Sequence, residues 1–131
     1  MNKQEKIKNF DPSQPGLADE SIFGLPFSAE ESEIVIIPVP WEVTVSYGAG
    51  ASEGPQAILD ASFQVDLHHQ EFPELWKLGL HLDLGEHSDN WSQQSEKYKA
   101  MAQPIIEALE KGEVIAENPK LQSDLDKINA V

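Results

Sequence analysis

Residues 34–66 read Ile-Val-Ile-Ile-Pro-Val-Pro-Trp-Glu-Val-Thr-Val-Ser-Tyr-Gly-Ala-Gly-Ala-Ser-Glu-Gly-Pro-Gln-Ala-Ile-Leu-Asp-Ala-Ser-Phe-Gln-Val-Asp, a β-branched run, a glycine-rich loop and a proline-started helix in direct succession. This is the opening unit of an α/β fold. A strand apolar on both faces, as residues 34–39 read, belongs in a sheet covered on both sides, usually a parallel one. Pro38 and Pro40 then break the ladder, because proline has no N–H to donate. Gly48, Gly50 and Gly54 make the loop permissive. Gly54-Pro55 suits an N-cap followed by the first helical residue, where a missing N–H costs nothing. Ala57, Ile58, Ala61 and Ser62 are the residues expected to face the sheet.

Outward from this stretch, Trp76 to Leu84 reads as a second strand, with Leu alternating against other residues. Tyr98, Met101, Ala102, Ile105, Ile106 and Leu109 fall at helical spacing, with Asn90 or Ser92 as the expected cap and Gly112 as the stop. Pro104 inside that pattern must kink the helix or restart it. Asn118-Pro119 has the form of another helix start, and Leu121, Leu125 and Ile128 extend its apolar stripe. No capping signal follows, so the sequence predicts a chain cut inside an element. Residues 1–32 are polar apart from Ile22 to Phe27 and read as an extended N-terminal arm pinned by aromatics. Residues 33–131 are expected to form a partial α/β domain.

Composition bounds the function. The 131 residues make one ordinary domain at most, and 40% apolar content with nine prolines and eight glycines is globular in character. With 23 acidic against nine basic residues the formal charge is −14. Such a field repels phosphate backbones and anionic lipid, so neither nucleic acid nor membrane is an expected partner. The absence of cysteine removes disulfides and thiolate metal sites together. No window approaches the apolar run of about 20 residues that a membrane span needs, and no apolar stretch follows the first lysines. The chain reads as cytoplasmic.

The order of motifs resembles that of the ureohydrolases, the agmatinase, arginase and formiminoglutamase group. The resemblance rests on Pro38-Val39-Pro40, Ser46-Tyr47-Gly48-Ala49-Gly50, Gly54-Pro55, Ile58, Ser62 and Asp83-Leu84-Gly85-Glu86, the last similar to the family's Asp-x-Gly-Asp with Glu in the final place. The wording Trp41-Glu42-Val43-Thr44-Val45-Ser46-Tyr47 favours the agmatinase-like branch. What this implies is the N-terminal portion of a three-layer α/β/α fold with a mainly parallel sheet, truncated. It also implies, for a complete family member, two manganese ions and a bridging hydroxide that attacks a guanidinium-type carbon to release urea.

The resemblance equally implies an absence. The family's metal segments, Gly-Gly-Asp-His, Asp-Ala-His-x-Asp and Asp-x-Asp, do not occur in this sequence, so no catalytic or metal-binding residue is assigned and the chain alone is expected to be inactive. Two-metal hydrolysis needs several carboxylates and imidazoles converging at fixed distances. Gly85-Glu86-His87-Ser88 and His81-Leu82-Asp83 imitate pieces of those segments, but they follow the second strand rather than a later one, and solvated surface is the simpler reading. His68-His69 are adjacent in an extended segment and point apart. Gly48-x-Gly50 resembles a dinucleotide-binding turn, yet the third glycine is misplaced and the gap from the strand is too long. Trp41, Glu42, Ser46 and Tyr47 are the candidate rim of a substrate pocket completed by other strands, with loop packing as the competing reading. The alternative to a ureohydrolase fragment is a stand-alone module that self-associates through an incomplete sheet.

Overall fold

A computed structural model describes residues 1–17, 21–45 and 47–131. The chain divides into two compact units, Met1–Pro38 with Gly54–Ser88, and Val39–Glu53 with Asp89–Val131.

In the first unit, helix α1 (Lys3–Asn9) forms within the segment that reads as an extended arm. Its cause is a capping box: the Asn2 side chain accepts from the Glu5 N–H while Glu5 accepts from the Asn2 N–H, both at 3.0 Å. Strands β1 (Ile34–Ile36) and β2 (Leu80–Leu82) pair in parallel, with Ile34 opposite Leu80 and Ile36 opposite Leu82. That is the parallel α/β arrangement the strand composition implied. Both strands are shorter than their apolar runs. Residues 75–78 instead make a 3₁₀ turn closed by Gly79 at φ 77°. A side chain at 79 would meet the Ser32 backbone at 3.0 Å, so the chains approach there only because the residue is glycine.

Helix α2 (Gly54–Ser62) starts at the Gly-Pro pair as expected. Its inner face differs from the expectation. Ala57, Ile58 and Ala61 are exposed, and the buried position is Ser62. The reason is that α2 packs on the turn at Ile22–Gly24 rather than on a broad sheet. Ser62 Oγ accepts the Phe23 N–H at 2.9 Å and donates to the Leu59 carbonyl at 2.6 Å. The core of this unit is Leu25, Phe27 and Trp76, with Ile7, Phe10, Phe23, Leu67 and Leu80 around it. Burying each of the large side chains contributes about 1.5–3 kcal/mol. Phe27 stacks on Trp76 at 6.4 Å and Phe10 tilts against it at 5.0 Å. Phe10 and Phe27 thus pack residues of the N-terminal segment on Trp76, and within that segment Lys6 pairs with Glu31.

The strand expected to be covered on both sides is not. Ile34, Val35 and Ile36 are 47%, 39% and 37% exposed. A sheet of two strands offers one neighbour and no second layer over these side chains.

Helix α3 (Glu86–Glu110), which belongs to the second unit from Asp89 onward, begins before Asn90 and Ser92, which lie inside it rather than capping it. It runs through Pro104 as one element. Gly112, at φ 75°, ends it: the Glu113 N–H returns to the Ala108 carbonyl at 2.9 Å and the Gly112 N–H to Leu109 at 3.0 Å, a Schellman closure. The inward face carries Ala102, Ile105 and Ala108, while Leu109 points to solvent. Helix α4 (Pro119–Asn129) starts where Asn118-Pro119 predicted, with the Asn118 side chain accepting from the Lys120 and Leu121 N–H groups. Leu121, Leu125 and Ile128 close on Ile105, Ala108 and Ile115.

Candidate functional site

The glycine loop is built around one carboxylate. Glu42 is 4% exposed, and its backbone N–H donates to Ser95 Oγ at 2.7 Å. Its side chain accepts from Lys99 Nζ through one oxygen, and from the N–H groups of Gly50 at 2.7 Å and Ser52 at 3.3 Å through the other. Ser95 and Lys99 are one turn apart on α3 and so share a face. Tyr98, between them, packs on Trp41 with ring centroids 6.1 Å apart. Hydrogen bonding from Lys99, then from the Gly50 N–H, holds the Glu42 carboxyl down at about 2, against the opposing effect of burial.

Of the four rim candidates, Glu42 therefore lies beneath the loop as its anchor, and Trp41 sits beside it on Tyr98. Tyr47 stands out on the loop at 97% exposure. Ser46 lies outside the described residues. No sequence signal pointed to Lys99 or Ser95, because each is more than fifty positions from its partner.

At the C-terminal end of β2, Asp83 accepts from the Gly85 N–H at 3.0 Å and from His87 Nε2 at 3.0 Å. The His87 hydrogen bond, then that of Gly85, holds its carboxyl below the usual carboxylate range. His81 Nδ1 bonds instead to the Phe27 carbonyl at 3.0 Å. His68 and His69 do not converge: the His68 N–H donates to Asp66, and His69 accepts from the Phe72 N–H. Among the described residues, no group of three or more His, Cys, Asp or Glu comes together so as to hold a metal ion. None of the helices in those residues is long and apolar enough to cross a membrane.

The family model described as Arginase family matches residues 32–116, well over half of the chain. A curated relative, N(1)-aminopropylagmatine ureohydrolase of Synechocystis sp., is 39% identical over 44 residues, 34% of this chain and 14% of the relative. The aligned part is thus a small share of that protein. No solved structure matches.

Proposed function

The chain belongs to the arginase family, and from that premise we propose that it is the N-terminal part of a manganese-dependent ureohydrolase of the agmatinase-like branch. The complete protein hydrolyses a guanidino C–N bond, of agmatine or a substituted agmatine, and releases urea. Residues 1–32 are its arm and residues 33–131 its first strands and helices. The supporting observation is the family match over residues 32–116, together with the 44-residue alignment to a ureohydrolase.

In this reading Glu42 fixes the loop, and Trp41, Ser46 and Tyr47 shape the pocket rim. The high exposure of Tyr47 supports that role, since a phenol held out by an anchored loop is free to meet a substrate or a facing strand. The protein is cytoplasmic. The test is urea release by residues 1–131 with agmatine and manganese: none above buffer is expected, and turnover would overturn the assignment of the catalytic donors to other segments. The mass of the product from the native locus adds a second check, a value well above 14.5 kDa being expected.

The exposed apolar side chains of β1 favour a second reading, a stand-alone module whose copies complete each other's sheet. A native product of 14.5 kDa with a solution mass of a dimer or higher would favour it over the first. The charge of −14 opposes such association at low salt, so the mass is compared at low and high ionic strength.

A further inference from the structure

Beside the aromatic core of the first unit lies a cavity of about 240 Å³ walled by Phe23, Leu25, Leu67, Trp76 and Leu80. Phe23 is the one non-glycine residue with positive φ among the described residues, at 62°. That conformation crowds an L side chain against its own backbone, and it persists only where the surroundings over-determine it. Here they do. Buried Ser62 takes the Phe23 N–H, and the Gly24 backbone abuts Gly16 so closely that no side chain fits between them. The strained turn keeps the Phe23 ring in the cavity wall.

The polar edge is Asp66, His68 and His69. Asp66 Oδ1 accepts the His68 backbone N–H at 2.8 Å, which restrains this exposed carboxylate. An apolar cavity of about 150 Å³ holds a benzene-sized molecule, so this one has room for a ring and a short side chain. The chain's charge of −14 favours a cationic head and opposes an anionic one.

We propose that this cavity is a binding site for a small arylalkyl or alkyl cation, its apolar body against Phe23 and Trp76 and its ammonium or guanidinium group toward Asp66. The site does not depend on the ureohydrolase reading.

The experiment titrates the whole 131-residue chain at pH 7.5 with phenethylamine, 2-phenylethanol and phenylacetate, following the Trp76 indole N–H by NMR. Saturable shifts at millimolar phenethylamine, weaker binding of the alcohol and none of phenylacetate are expected. Asp66→Asn, an exposed change, should weaken the amine about fivefold, the worth of a partly screened ion pair. Val65→Trp, at the exposed rim, should block all binding while leaving the rest of the spectrum in place. Equal affinity for the three probes, an unchanged amine affinity in Asp66→Asn, or no saturable shift of Trp76 would each overturn the proposal.

Discussion

Replacing Gly24 by alanine should unfold the first unit at markedly lower denaturant, and the structure separates the two reasons. Gly24 sits at φ 66°, and a Cβ there would lie 2.3 Å from Gly16 Cα and 3.1 Å from both Gly16 C and Leu17 N. The left-handed conformation costs an L residue about 1–2 kcal/mol. Forcing a methyl into packed backbone adds about 1–3 kcal/mol, and backbone yields less readily than a flexible side chain. The expected total is about 2–5 kcal/mol, a large share of the roughly 5–15 kcal/mol that stabilises an ordinary domain. Two controls divide the sum. Gly48 has φ 69° and nothing within 4 Å of its would-be Cβ, so Gly48→Ala carries the dihedral strain alone, about 1–2 kcal/mol. Gly16→Ala carries the contact alone, its Cβ lying 3.0 Å from Gly24 Cα. Urea unfolding followed by tryptophan fluorescence reads all three; at a slope of about 1–3 kcal/mol per molar, the Gly24→Ala midpoint falls by about 0.7–5 M. A cost for Gly24→Ala no greater than the about 1–2 kcal/mol of the left-handed conformation alone would refute the close approach of the two glycines, and with it the fixed turn that carries Phe23.

Four further outcomes follow from named contacts. Because the folded-state pKa of Glu42 is depressed to about 2 from 4.5, its contribution to stability is present above pH 4.5 and lost as pH falls toward 2; unfolding midpoints measured from pH 7 to 2.5 should show Glu42→Gln flattening that decline. Ser62→Ala leaves the part-buried Phe23 N–H without its acceptor and should cost about 1–3 kcal/mol in the same assay. Asn118→Ala removes the cap of α4 and should cost about 1 kcal/mol, with a matching loss of helical circular dichroism; no change in either would show that α4 is held by Leu121 and its neighbours alone. If copies associate through β1, Val35→Lys should return the solution mass to 14.5 kDa, whereas a mass unaffected by the lysine would place the contact elsewhere.

Much of the local structure was legible because it depends on neighbours in sequence. Gly54-Pro55 and Asn118-Pro119 start α2 and α4 by supplying a cap and a proline at the first turn, and Gly112 ends α3 by adopting positive φ. Strand and helix limits were less legible. The apolar run from Trp76 to Leu84 could not show that Gly79 turns the chain before Leu80, where the close approach of the distant Ser32 backbone leaves no room for a side chain. The inward face of α2 was misread for a similar reason: the alanine and isoleucine positions look like core, but the surface α2 meets is the Phe23 turn, which Ser62 satisfies by hydrogen bonding. At the candidate site, the glycine loop was visible in the sequence, whereas the ion pair that anchors it was not.

The sequence by itself determined the parallel strand pairing, the starts of α2 and α4, the stop of α3 and the family, because periodicity, capping and motif order are written in residues close along the chain. Tertiary structure alone decided that Glu42 is buried and anchors its loop. It did so by placing Ser95 and Lys99 of α3 beneath a loop more than fifty positions away, where an unpaired carboxylate would be costly and a paired one fixes the backbone of Gly50 and Ser52.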